Sequence, residues 1–230
     1  MKFGIVLLPG SNCDHDAWHV AANVLGADTE MLWHKDRDLK GADCVIVPGG
    51  FSYGDYLRAG AIAKFAPIMD SVRDHAARGG LVVGICNGFQ VLTESGMLPG
   101  ALMRNRHLRF ICRDVHLRVE SATTPFTSSL AKGDVLTMPI AHGEGNYFAD
   151  DDTLDRLEAN DQVVFRYTEL DGSLSEASNP NGSSRAIAGI CNEGRNVLGL
   201  MPHPERNAES VLGSGDGIRV FQSIAEKIAS

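Results

Sequence analysis

The sequence predicts an α/β fold: a single domain with a mostly parallel central sheet flanked by helices, and some antiparallel strands in its second half. Three observations carry this. Up to about residue 95, short apolar runs alternate with longer amphipathic stretches, as right-handed crossovers between parallel strands require. Beyond residue 110, strand-type runs follow one another with turn signals between them, a pattern suited to antiparallel pairing. No internal repeat, low-complexity tract or Pro/Ser-rich linker divides residues 1–230, so one domain is expected.

The elements follow in order. Residues 3–8 are an apolar strand, and Asp14 can cap a helix to about residue 25, with Ala17, Val20, Ala21, Val24 and Leu25 at helical spacing. Residues 29–33 and 44–47 read as strands, 61–77 as a helix, 81–83 as a strand and 88–95 as a helix. Strands are expected over 110–119, 135–139, 163–168, 186–191 and 196–201, with Asn179-Pro180-Asn181-Gly182 and Glu193-Gly194 as turns. One helix interrupts them near 153–159, where Asp150-Asp151-Asp152 reads as an acidic helix start. A last helix over 217–229 has Ser214 or Asp216 available as its cap.

Composition excludes several classes. A net charge of −8 with pI near 5.4 lacks the basic stripe of a nucleic-acid binder. The apolar start stops at Pro9, too early for a signal peptide, and no segment approaches the ~20 apolar residues of a membrane span. Five cysteines without CxxC spacing suggest neither a disulfide framework nor zinc, so a reducing cytoplasm fits best. His15, His19, His34, His75, His107 and His116 show no metal-ligand spacing, and no P-loop is present.

The chemistry concentrates in Gly84-Ile85-Cys86-Asn87-Gly88-Phe89-Gln90, at a strand-to-helix turn. A cysteine there lies over the unpaired N–H groups of a helix start, which favour the attacking thiolate, and G-x-C-x-G is the cysteine counterpart of the serine nucleophile elbow. Such a nucleophile needs a base with an orienting partner, and Pro202-His203-Pro204-Glu205 offers both. The prolines hold the backbone extended, so His203 and Glu205, two residues apart, point to the same side. Glu205 can then fix the imidazole tautomer. The N–H of Asn87 is one candidate oxyanion donor; a second can come from Gly49 or Gly50 in Pro48-Gly49-Gly50. Gln90, four residues after Cys86, projects toward the same end of its helix. His142 in Ala141-His142-Gly143-Glu144-Gly145 is expected to be structural or substrate-lining, because two histidines cannot both be the base.

Elbow cysteine, Pro-Gly-Gly loop and late His-x-Glu, in that order, resemble the class I (triad) glutamine amidotransferases, a flavodoxin-like α/β fold. Asn87 and Phe89 narrow the resemblance, since many members of the class carry Leu and His there. So do Pro9-Gly10-Ser11-Asn12-Cys13-Asp14, Gly49-Gly50-Phe51-Ser52-Tyr53-Gly54-Asp55, Asn179-Pro180-Asn181-Gly182-Ser183 and Met201-Pro202-His203-Pro204-Glu205-Arg206. Together they are similar to the small glutaminase subunits of phosphoribosylformylglycinamidine synthases, a family of purine biosynthesis. The resemblance implies that Cys86 attacks the side-chain amide of glutamine, that His203 protonates the departing ammonia, and that water then hydrolyses a glutamyl thioester. It implies Gly50 and Asn87 as the oxyanion hole and glutamine contacts at Gly49, Gln90, Gly143 and Glu144. It implies no cofactor in this chain; ATP and magnesium belong to a larger synthetase subunit that aminates formylglycinamide ribonucleotide, accompanied by a small accessory subunit. Nothing in the chain looks like an ATP-binding synthetase domain, so the ammonia is expected to be consumed on another polypeptide. A basic residue is expected at position 146, where Asn146 stands. Rival readings are the glutaminase of another amidotransferase, a γ-glutamyl cysteine hydrolase on the same fold, or a non-catalytic binding subunit.

Overall fold

The computed structural model describes residues 1–229. A nine-stranded mixed sheet forms its centre, in the order β2-β1-β3-β4-β11-β10-β9-β6-β7. The strands β1 (Lys2–Leu7), β2 (Asp28–Trp33), β3 (Cys44–Val47), β4 (Leu81–Ile85) and β11 (Val197–Leu200) are mutually parallel. Beyond β11, the strands β10 (Ile187–Cys191), β9 (Val163–Thr168), β6 (Ile111–Val119) and β7 (Val135–His142) pair antiparallel. The expected division between the two halves of the chain is therefore present. All four residues of β3 and all four of β11 are buried, as inner parallel strands covered on both faces should be.

The helices are α1 (Asp14–His19), α2 (Pro67–Ala77), α3 (Asn87–Glu94), α4 (Asp151–Ala159) and α5 (Ile218–Ala229). Several boundaries depart from the sequence reading. Asp14 is the first helical residue rather than the cap, which falls on Cys13, and the second half of the expected helix is a π-helical stretch over Val20–Val24. The helix expected from residue 61 begins only at Pro67: proline disfavours helical geometry in the residue before it, and Ala66 is extended at φ −63°, ψ 134°. Asp216 accepts the Thr137 N–H at 2.8 Å and so secures β7. Asp150 does cap α4, accepting the Thr153 N–H at 2.7 Å. A two-stranded sheet of β5 (Ala101–Met103) and β8 (Asn146–Phe148) has no counterpart in the sequence reading, because three-residue strands show no periodicity.

Because β1, β3, β4 and β11 run the same way, their carboxyl ends open on one edge, where α/β sheets place their sites. The loops that leave there carry Cys13, Gly49 and Gly50, Cys86, and His203 with Glu205. The sheet curls far enough that β7, at its far edge, reaches the same place: the His203 N–H donates to the Pro139 carbonyl at 2.9 Å.

Two glycines set the seat of α3. A Cβ on Gly88 would lie 1.8 Å from the Val47 carbonyl oxygen, and one on Gly84 would lie 2.7 Å from the Gly88 backbone. Only hydrogen fits where α3 crosses β3 and β4. Gly88→Ala is expected to destabilise the fold by about 1–3 kcal/mol or more, the cost of overpacking, read as a lower urea midpoint; an unchanged midpoint would mean the helix is seated otherwise.

Candidate active site

Cys86 joins β4 to α3 with φ 51° and ψ −105°, a conformation L-residues rarely adopt. Its N–H donates to the Leu200 carbonyl at 2.8 Å and its carbonyl accepts from Gln90 N–H at 3.2 Å, so both sides of the turn are tied down. The side chain is 5% exposed, with Sγ 3.8 Å from the Ala141 carbonyl oxygen. The residue is thus presented at the sheet edge by backbone geometry.

His203 and Glu205 are buried, at 1% and 2% exposure. His203 Nδ1 and a Glu205 carboxylate oxygen stand 2.6 Å apart. The chain does not stay extended as expected: Pro204–Asn207 forms one 3-10 turn, started by a proline whose φ suits it. The pairing holds nonetheless. Among the described residues, neither His203 Nε2 nor the second Glu205 oxygen has a hydrogen-bond partner. Burial pulls the imidazole down, but the charges of Glu205 and Cys86 overcome it and hold His203 well above its ordinary range.

Among the described residues, a cavity of about 90 Å³ is lined by Asn12, Cys13, Gly50, Phe51, Cys86, Phe110, Ala141, His203 and Arg206. Gly49 closes one side. A Cβ there would sit 2.8 Å from His203 Cε1 and 3.0 Å from Cys13 Sγ, so only glycine allows these side chains to meet. Gly50 has φ 150° and bridges Ser11; Phe51 N–H and Asn12 N–H make the flanking bonds, to Gly10 and Gly49 carbonyls. That pairing leaves the Gly50 N–H facing away from Ser11, free of the ladder. Asn87 opens α3, and its N–H has no partner within the helix.

The Asn87 side chain does more than the sequence reading gave it. Its oxygen accepts the Ser52 N–H at 3.0 Å, and its amide donates to Asp55 at 3.1 Å and to Gln90 at 2.8 Å. Gln90 in turn donates to the Glu144 carbonyl at 2.5 Å. The Gly143 carbonyl accepts the Asn105 N–H at 2.9 Å. Gln90, Gly143 and Glu144 therefore stand outside the cavity, as a stitched wall beside it. Asp55 is pushed up to about 6, by burial first and by the charge of Glu144, against the Asn87 hydrogen bond. His142 is pushed down to about 4 by burial and by the charge of His203. It packs over Gly145 and faces Asn105 at 3.1 Å, a structural placement.

Over residues 1–218 the chain matches the family described as CobB/CobQ-like glutamine amidotransferase domain. It is 58% identical over 229 residues to phosphoribosylformylglycinamidine synthase subunit PurQ of Koribacter versatilis, spanning 100% of this chain and 99% of that protein. It is also 58% identical over 228 residues to the same subunit of Salinibacter ruber, spanning 99% and 97%. The chain belongs to the PurQ family. It is thus a glutamine amidotransferase, the glutaminase subunit of phosphoribosylformylglycinamidine synthase. A solved structure described as PurLQS from Thermotoga maritima is similar with a TM-score of 0.87 at 44% identity, covering 99% of this chain and 98% of that one. The fold extends to a putative GMP synthase subunit of Thermoplasma acidophilum, TM-score 0.64 at 17% identity, covering 100% and 94%.

Two neighbours of the site were missed. Cys13 and Asp55 lie in motifs quoted for the family, yet no spacing rule marks them; the signal was position, since Cys13 follows the carboxyl end of β1. Burial pushes the Cys13 thiol up, opposed by the neighbouring His203 imidazole; the thiol itself donates to the Asn12 side-chain oxygen at 3.1 Å.

A raised His203 has a definite sign. Its contribution to stability is complete below the unfolded value near 6.5 and is lost as pH rises through the higher native value. Glu205→Gln is expected to lower the titration point of the His203 Cε1 proton by NMR, and to shrink the stability advantage of the natural protein over the variant as pH rises above 6.5. An unmoved titration would remove Glu205 as the source of the shift.

Proposed function

We propose that Cys86, His203 and Glu205 form the catalytic triad that hydrolyses glutamine to glutamate and ammonia. One observation carries this reading most: a buried imidazole has one nitrogen held by a carboxylate at 2.6 Å and the other unpartnered beside the cavity that Cys86 lines. The Cys86 sulfur attacks the carboxamide carbon, and the carbonyl electrons move onto oxygen. The N–H groups of Asn87 and Gly50 meet that oxyanion from two loops. On collapse, His203 Nε2 gives its proton to the departing nitrogen, which leaves as ammonia. Water then attacks the glutamyl thioester while the same nitrogen takes a proton. The second collapse expels the Cys86 thiolate and frees glutamate. Glu205 keeps Nδ1 protonated throughout, so only Nε2 shuttles. Gly49, Gln90, Gly143 and Glu144 shape the adjoining wall for the amino-acid end of glutamine.

The ammonia passes to an ATP-dependent synthetase subunit, which uses it to aminate formylglycinamide ribonucleotide; a small accessory subunit completes the assembly in the cytoplasm. The synthetase, not this chain, uses ATP and magnesium. A groove beside Glu144 supports docking there. It is lined by the exposed apolar side chains Leu57, Met103 and Phe148, together with Arg58, Arg104 and Asn146. Asn146 stands where a basic residue was expected, but Arg104 lies alongside, pairing with Glu144 at 3.5 Å. Positive charge is therefore present in the groove from another position.

In the assembled enzyme, Cys86→Ala is expected to reduce glutamine-dependent synthesis by ~10⁴-fold or more, as loss of a nucleophile does, while ammonia-dependent synthesis stays intact. A variant that retained glutamine turnover would remove Cys86 from the role.

A further inference from the structure

The Gly50 and Asn87 N–H groups belong to different segments, and one side chain joins those segments. Residues 50–55 are tied to the loop after β1: Phe51 N–H donates to the Gly10 carbonyl at 2.9 Å and Tyr53 N–H to the Pro9 carbonyl at 2.6 Å. Toward α3, among the described residues, their hydrogen bonds all run to the Asn87 side chain. Asn87 and Ser52 are both buried. Their chemistry leaves one orientation for the amide. The Ser52 N–H can only donate and an ionised Asp55 can only accept, so Oδ1 faces Ser52 at 3.0 Å. Nδ2 then faces Asp55 at 3.1 Å and Gln90 Oε1 at 2.8 Å. The two ties to the loop bracket Tyr53 and Gly54, at φ 54° and 73°, and Asp55 itself stands at φ 51°. Non-glycine residues in the left-handed region persist where their surroundings over-determine them, and Asn87 supplies that hold from the α3 side.

We propose that the Asn87 side chain is a positioning residue for the oxyanion hole, fixing the Gly50 N–H relative to the N–H of Asn87 itself. The inference rests on the roles given to those two N–H groups in the reaction proposed above. Gly50 lies two residues before Ser52, so one planar amide and two peptide units connect the donors through the Ser52 hydrogen bond. On its far side Gly50 is seated against the β1 loop, where a Cβ would lie 2.6 Å from the Gly10 carbonyl oxygen. Held from both sides, its N–H keeps a fixed place. An oxyanion gains most from donors that are in position before it forms. A hole that relaxes by 1 Å forfeits on the order of 10²-fold in rate. The neutral carboxamide of bound glutamine depends on the same donors far less, so the loss falls on kcat rather than on KM. Leucine, which many other triad amidotransferases carry after the nucleophile, fills space there but ties down neither Ser52 nor Asp55.

The test compares two reactions of Cys86 in the assembled enzyme. Glutamine hydrolysis builds an oxyanion. Alkylation by iodoacetamide, in which the sulfur displaces iodide from a saturated carbon, builds none. Asn87→Ala and Asn87→Leu are expected to lower kcat for glutamine by ~10²-fold, with KM moved by less than about threefold. The alkylation rate of the peptide containing Cys86, followed by mass spectrometry, should stay the same. Asp55→Ala removes one of the two ties to the loop and is expected to lower kcat by about tenfold, the worth of one hydrogen bond to a charged group. That variant decides the matter if the Asn87 variants fail to fold. An unchanged kcat overturns the inference. So does alkylation that slows in step with turnover, because the side chain then supports the Cys86 turn rather than the oxyanion donors. If natural enzyme alkylated at Cys86 still hydrolyses glutamine at full rate, it is the triad that falls.

Discussion

Everything at this site depends on one backbone constraint, the forced turn at Cys86. A non-glycine residue at φ 51° and ψ −105° costs roughly 1–3 kcal/mol and persists only where its surroundings over-determine it. Here β11 holds its N–H, α3 holds its carbonyl, and Gly84 and Gly88 let the helix close against the Val47 carbonyl. The turn places Cys86 on the wall of the cavity that His203 also lines, a placement that a relaxed strand-to-helix connection would not give.

A second layer of organisation comes from sheet direction. Parallel strands deliver their loops to one edge, so residues as distant as Cys13, Gly50, Cys86 and His203 line one cavity without any long-range search by flexible segments. The curl of the antiparallel half adds β7, which supports His203 through the Pro139 carbonyl. Electrostatics finish the arrangement. A buried imidazole on its own would lose its proton; the carboxylate of Glu205 and the sulfur of Cys86 keep it charged. His142, buried close by without such a partner, is pushed the other way, which explains why one of two adjacent histidines is fit to carry a proton.

Much of this was legible in the sequence. The strand runs, the break into antiparallel pairing and the meeting of Cys86 with the His203–Glu205 pair followed from periodicity and from a few proline and glycine positions. What escaped was set by tertiary contact. The start of α2 was misread because Ala61 to Phe65 carry a helical pattern that Pro67 interrupts. The pair β5–β8 is too short to show a period. Cys13 looked like one unpaired cysteine among five, since its closeness to His203 bridges 190 residues of sequence. Asn87 was legible as a discriminating letter but not as a linchpin. Its ties to Ser52 and Asp55 exist only once the loop after β3 folds over α3.

The central claim is that strain and charge make Cys86 a covalent nucleophile toward glutamine. Rapid acid quench of the assembled enzyme during turnover, followed by peptide mass spectrometry, tests it most directly. The account predicts a glutamyl adduct on the peptide containing Cys86, and none on the peptide containing Cys13. Full glutamine turnover with no adduct on the Cys86 peptide at any quench time, or an adduct on Cys13 instead, would contradict it.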